Sequence, residues 1–252
     1  MPSQRNVSSM STRMVDVGTT ERLNWRTTLR WAAVAGIVEL IVTQALVEKS
    51  FIPPAAIIAI LLLAGVIKLR RDDAGQKLTT VAFVLFLLVN VVLAAPGLFV
   101  PASFGSFAIT WLATVTSIVG VIAGVATWRG RIGGLAVARV VIGGTALGIA
   151  LVVVGLIASV GFSDAKPAPG DIVVTASGND FHPTTLTATH GQVSFFLDNR
   201  DNTLHNFHVT GGGKIENMPA NHKVRVTLTL APGTYEYHCD FHDDMTGTLT
   251  VS

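Results

Sequence analysis

The residues best suited to chemistry lie near the C-terminus, in Gly233-Thr-Tyr-Glu-Tyr-His-Cys239-Asp-Phe-His242-Asp-Asp-Met245-Thr-Gly247. This stretch holds the only cysteine of the chain, with His242 three residues on and Met245 three after that. A thiolate, an imidazole and a thioether in so short a run make a soft, mixed nitrogen and sulfur donor set. Such donors favour copper, and two histidines with one cysteine and a weak axial methionine describe a one-electron copper centre. The run after Cys239 supplies only one histidine. A candidate stands upstream in Asn199-Arg-Asp-Asn-Thr-Leu-His205-Asn206-Phe-His208-Val.

Between Thr234 and Cys239, strand alternation puts Tyr235, Tyr237 and Cys239 on one face and Glu236 and His238 on the other. If the tyrosine face is the core, Cys239 ends its strand pointing inward. The same logic groups His205 with Phe207 and Val209, against Asn206 and His208. Parity thus favours His205 and demotes His208 and His238. The loop from Cys239 to Met245 then returns His242 and Met245 to the same point. A structural zinc site would not need a methionine at this spacing. An inert buried thiol is the other plain reading, and Asp240, Asp243 and Asp244 beside Cys239 argue against its burial. His182, His190 and His222 fall in turns and read as solvated, while Met218 with His222 is a weak candidate for a second copper site. No His-x-His pair of the multinuclear oxidase kind occurs, and no nucleophile, base and oxyanion arrangement is visible. The chain therefore does not read as an enzyme.

These residues need strands to hold them. Short β-rich runs fall at 171–177, 184–189, 192–198, 204–210, 223–230, 233–239 and 246–251, separated by turn residues. About seven short strands with regular turn spacing predict a sandwich. In Asp180-Phe-His-Pro183, in Gly191-Gln-Val-Ser-Phe-Phe-Leu-Asp-Asn199, in Leu-His205-Asn206-Phe and in Tyr-x-Tyr-x-Cys239-x-x-His242-x-x-Met245-x-Gly247, this part resembles the cupredoxins. These are small blue-copper proteins of the plastocyanin and amicyanin kind, and the short Cys-x-x-His-x-x-Met spacing is more similar to the amicyanin type. The resemblance implies an all-β Greek-key sandwich. It also implies one copper ion in a type 1 site held by His205, Cys239, His242 and axial Met245. Asn206 would brace the cysteine loop, and His242 would be the electron port. The resemblance covers residues 171–252, which is short for that family, and says nothing of the rest.

Half of the residues are hydrophobic and 13% are charged, too apolar a balance for an ordinary soluble protein. The excess sits in five runs, about Leu29 to Val47, Phe51 to Ile67, Leu78 to Leu93, Phe107 to Trp128 and Val140 to Phe162. Each approaches the roughly 20 residues needed to cross a bilayer. This divides the chain into a disordered cytoplasmic tail (1–24), a multi-pass α-helical membrane domain (25–162), a Pro-containing linker (163–170) and the copper domain (171–252). All seven histidines lie in the last part. The first run comes too late and is too long for a cleaved signal peptide and reads as a retained anchor.

Five crossings put the two ends on opposite sides. Twelve cationic residues (Arg5, Arg13, Arg22, Arg26, Arg30, Lys68, Arg70, Arg71, Lys77, Arg129, Arg131 and Arg139) flank one side, and Lys49 alone the other. By the positive-inside rule the N-terminus is cytoplasmic and the copper domain lies outside the plasma membrane. Gly120-x-x-x-Gly124 and Gly144-x-x-x-Gly148 offer small faces for close approach of the fourth and fifth helices. Glu39 sits within the first run; with no second ionisable partner in the spans it reads as structural rather than as a relay. A net charge of +2 gives no ground for nucleic-acid binding. A single cysteine excludes an intramolecular disulfide. The expected function is a one-electron carrier at the outer membrane face, with the lipid bilayer and a redox protein as partners. The alternative is copper capture, sensing or delivery.

Overall fold

The computed structural model describes residues 24–49, 51–69, 72–129 and 134–252. The expected tail lies outside the described residues apart from Asn24, as do Arg5, Arg13, Arg22, Arg70, Arg71 and Arg131 of the charge pattern. Five helices come first: α1 (Trp25–Val42), α2 (Pro53–Leu69), α3 (Asp73–Leu93), α4 (Phe104–Arg129) and α5 (Gly134–Val160). Side-chain caps start two of them, since Asn24 accepts from the Thr27 N–H at 2.7 Å and Asp72 from the Gly75 N–H at 2.9 Å. Pro53 and Pro54 open α2, where the missing N–H groups cost no intrahelical bond. α1 runs on into a wider π turn over Thr43–Val47.

Four helical stretches (25–47, 73–93, 104–129 and 135–160) are long and apolar enough to cross a membrane; α2, with 17 residues, is shorter. At about 1.5 Å per residue α2 reaches about 25 Å, against roughly 30 Å of hydrocarbon. α4 lies between α1, α3 and α5 and buries small polar residues such as Thr110, Thr114 and Ser117. Asn90 on α3 donates to the Thr110 carbonyl at 3.1 Å and to Thr114 Oγ1 at 2.9 Å, so its amide is satisfied by the neighbouring helix. Glu39 accepts from Thr116 Oγ1 at 2.7 Å, and its Oε2 is buried with no hydrogen-bond partner among the described residues. The two glycine pairs divide their tasks. Gly144 and Gly148 face Val119 and Leu112 of α4, as expected. Gly120 and Gly124 instead face α3, where a Cβ would overlap Phe83 or Thr80.

The remainder forms nine strands: β1 (Ile172–Ala176), β2 (Phe181–His182), β3 (Thr185–Ala188), β4 (Gly191–Asn199), β5 (His205–Val209), β6 (Ile215–Met218), β7 (Lys223–Leu230), β8 (Gly233–Cys239) and β9 (His242–Val251). They make two sheets, in the orders β2-β1-β4-β7 and β3-β9-β8-β5-β6. β1 runs parallel to β4 and β3 to β9; the other pairs are antiparallel. The short β2 and β6 are additions to the seven runs expected. Fully buried Phe181, Phe195, Phe207 and Tyr237 fill the space between the sheets, with the Phe207 ring 5.0 Å from Phe195 and 5.3 Å from Tyr237. Tyr237 donates to the Pro183 carbonyl at 2.6 Å, and burial pushes its hydroxyl pKa up to about 12. Gly247 stands opposite Tyr237 across the β8–β9 ladder, where any Cβ would overlap the ring.

The sandwich sits on the helix ends that carry the α1–α2 and α3–α4 connections. Ser103 and Ser106 hydroxyls accept from the backbone N–H groups of Ala220 (3.1 Å) and Leu204 (3.0 Å). Asn202 and Asn179 side chains donate to the Leu46 and Glu48 carbonyls, each at 3.2 Å. Gly105 allows this approach, since a Cβ there would lie 2.7 Å from the Asn202 carbonyl oxygen. The start of the linker is tied to the sandwich. Asp164 accepts from the Lys223 N–H at 3.1 Å and lies 2.9 Å from His222 Nδ1, and Phe162 stacks on His222 at 4.5 Å. His222 is therefore largely enclosed where the sandwich meets α5, contrary to the solvated role expected of it, with its two ring nitrogens at Asp164 and Ser159.

Candidate metal centre

His205 opens β5, Cys239 ends β8 and His242 opens β9, so antiparallel pairing brings the distant His205 to the neighbouring Cys239 and His242 at one end of the second sheet. What was expected to be a loop is a tight reversal through Asp240 and Phe241, after which Met245 already lies in a strand. His205 Nδ1 lies 3.1 Å from His242 Nδ1 and 3.8 Å from Cys239 Sγ; His242 Nδ1 lies 3.5 Å from the same sulfur. His205 is fully buried, Cys239 is 2% exposed, and Met245, fully buried, belongs to the same core cluster. The burial of Cys239 corrects the expectation drawn from its acidic neighbours. Their charge does not decide its direction: strand alternation turns the sulfur inward while Asp240, Asp243 and Asp244 stay exposed.

The three side chains are held in place by their neighbours. Asp201 Oδ2 lies 3.0 Å from His205 Nε2, and its two oxygens also accept from the Gly178 and Asn179 N–H groups at 2.8 and 3.1 Å. With Nε2 engaged by this carboxylate, His205 presents Nδ1 to Cys239 and His242. Burial acts to raise the Asp201 pKa, but its hydrogen bonds win and hold it well below the usual carboxylate range. Asn206 accepts from the Asp240 N–H at 2.8 Å and donates to Asp240 Oδ2 at 2.7 Å, tying β5 to the reversal after Cys239. Burial would raise the Cys239 thiol; hydrogen bonds from His205, His242 and nearby backbone N–H groups outweigh it and lower the pKa to about 6. Burial likewise works against a charged His242, yet Cys239 and Glu48 raise its pKa to about 9. His242 Nε2 lies 3.6 Å from Glu48 Oε2, so the edge expected to be the open electron port faces the helical region, with its side chain 20% exposed.

These separations fit a metal ion. With metal–nitrogen bonds of about 2.0 Å and metal–sulfur bonds of about 2.3 Å, a trigonal ion separates nitrogens by about 3.5 Å and nitrogen from sulfur by about 3.7 Å. The three donors therefore need only small shifts to take one ion. Asp201 and Glu48 were not singled out from sequence. Asp201 carries a signal, a carboxylate four residues before His205 in a polar turn. Glu48 carries none, because only the tertiary docking brings it to His242. His208 and His238 point away from the centre, as parity required, and meet at Asp240.

A two-sheet sandwich with a buried Cys, His and His set at one end defines a cupredoxin-like domain. Residues 148–251 match the family model described as a cupredoxin-like domain, the match beginning within α5. Similar solved structures include a reduced tryptophan-to-tyrosine mutant of amicyanin and the oxidised state of a proline-to-alanine mutant of amicyanin. Both are 28% identical, with a TM-score of 0.31, over 36% of this chain and 90% of theirs. A Cu(I) methionine-to-glutamine mutant of amicyanin is 27% identical at the same coverage and TM-score. No curated protein matches the chain significantly.

Proposed function

We propose that the chain is a membrane-anchored type 1 copper protein, not an enzyme, that carries single electrons on the outer face of the plasma membrane. One copper ion would be held by His205, Cys239, His242 and Met245. The observation that carries this reading is the convergence of two Nδ1 atoms and one Sγ at 3.1, 3.5 and 3.8 Å within a buried, braced pocket. Bound copper supplies a Cu(I)/Cu(II) couple, which this donor set accommodates in both states. The protein's part is to hold the donors still. Asp201 orients His205, Asn206 fixes the Cys239 reversal, and burial excludes water from the sulfur.

All five helices would cross the bilayer, α2 as the shortest, placing the N-terminus in the cytoplasm. The sandwich sits at the helix ends near Lys49, while Arg26 pairs with Asp73 at the opposite ends of α1 and α3. That arrangement supports an outer position for the copper domain. A redox partner would meet His242 at the rim of the seat, beside Glu48.

The test is redox cycling of the full chain in liposomes, using a membrane-impermeant reductant and oxidant. Repeated cycling with copper retained supports the carrier. Release of copper on reduction would replace it with copper capture or delivery.

A further inference from the structure

The histidines that parity removes from the first centre are brought together by the same register. His208 and His238 stand directly opposite one another across the β5–β8 ladder, on the solvent face of the sheet. Their rings lie 4.6 Å apart. Asp240, at the reversal, places Oδ1 3.0 Å from His208 Nδ1 and 3.1 Å from His238 Nε2. We propose that His208, His238 and Asp240 form a second, solvent-accessible site for a divalent transition-metal ion, on the outward side of the Cys239 hairpin.

Three observations carry it. First, the spacing suits an ion. Bonds of about 2.0–2.2 Å at right angles separate neighbouring ligand atoms by about 3 Å, so one ion can bond to all three with the rest of its coordination sphere open to water. Second, the carboxylate is oriented before any ion arrives. Asn206 Nδ2 holds its Oδ2 at 2.7 Å and Asn206 Oδ1 accepts the Asp240 N–H at 2.8 Å, which leaves Oδ1 toward the two rings. Third, among the described residues no further group bonds to the His238 ring nitrogens. Its Nδ1 is buried without a hydrogen-bond partner, while its Nε2 points at Asp240. The three side chains are 27–35% exposed, enough for entry without being fully mobile.

Two imidazoles and one carboxylate suit Zn(II), Cu(II) or Ni(II) better than Mg(II) or Ca(II), which prefer oxygen donors. They differ from the softer thiolate set on the other side of the strand. His238 and Asp240 flank Cys239 in the chain, so an ion here would lie close to the thiolate of the first centre. The site itself does not depend on that centre holding copper.

The experiment uses the full chain in detergent, loaded with one equivalent of Cu(I), which the thiolate favours, and then titrated with Zn(II) by calorimetry. The wild type should take one Zn(II) per chain. A His208→Ala/His238→Ala double variant should lose that binding, and Asp240→Asn should weaken it at least tenfold. A His205→Ala/His242→Ala double variant should retain it. Thermal melts confirm that each variant folds, and His208→Gln substitutes if the double variant does not. Zn(II) binding unchanged in the His208 and His238 variants, or lost only in the His205 and His242 variant, overturns the proposal. Failure of copper loading with this Zn(II) pattern intact would sink the copper reading and leave the second site standing.

Discussion

Asp201→Asn isolates the orientation of His205 from everything else at the centre. The Asp201 carboxylate accepts on both oxygens, from Gly178 N–H on one and from Asn179 N–H and His205 Nε2 on the other. An amide of the same shape has one acceptor oxygen. Either rotamer therefore sets its NH2 against a donor, at Gly178 or at Asn179 and His205. Turning the oxygen to Gly178 leaves His205 Nε2 without an acceptor and favours the tautomer with the proton on Nδ1, the atom that the proposed ion would need. Loss of such an outer partner typically costs 10–100-fold in metal affinity, or about 1.4–2.7 kcal/mol. Asp201→Ala should lose as much affinity. It should also lower stability by about 1–3 kcal/mol, because the Gly178 and Asn179 N–H groups lose their acceptor and water replaces it only in part. The pH dependence has a definite sign. The folded-state pKa of Asp201 is depressed, so its stabilisation is intact above the ordinary carboxylate range and lost as pH falls below it. The assay is copper affinity by chelator competition, run beside thermal melts of the full chain. Copper affinity of Asp201→Asn within twofold of the wild type would refute the reasoning.

In the metal-free protein the ultraviolet thiolate signal of Cys239 should appear as pH rises through about 6 and vanish below it. His242→Ala, which removes one hydrogen bond to the sulfur, should move that midpoint upward in the same titration. Gly247→Ala forces a Cβ into the Tyr237 ring and should cost about 1–3 kcal/mol in denaturant unfolding, with Tyr237→Leu relieving part of it. Glu48→Ala removes the carboxylate that accepts from Thr203 Oγ1 at 3.1 Å and faces His242. Amide exchange at Thr203 and Leu204 should then accelerate while the strands of the sandwich keep their protection.

Much of the centre was legible because its signals are local. Cys239, His242 and Met245 lie within seven residues, and alternation alone separated His205 from His208. Hydropathy located the helices, though α2 proved shorter than the others, its apolar run being interrupted at Lys68. What escaped depends on geometry between elements. The acidic residues around Cys239 suggested exposure, yet direction in a strand follows parity and not the charge of neighbours. β2, with two residues, is too short for alternation to register, and β6, Ile-Glu-Asn-Met, has its apolar residues three apart rather than two. The seat on the helices, with Glu48 at His242, joins positions far apart in the chain, and no spacing announces it. His208 and His238 were set aside as solvent-facing. That remained correct, but sequence could not reveal that their register makes them neighbours.

The central claim is that Cys239, His205 and His242 hold one copper ion through a thiolate bond. Its most direct test is the visible spectrum of the full chain after addition of Cu(II), before and after ascorbate, beside Cys239→Ser. The account predicts one copper per chain and an intense blue thiolate band that bleaches on reduction, returns on reoxidation and is absent in the variant. A colourless copper complex, or a band that survives in Cys239→Ser, would contradict it.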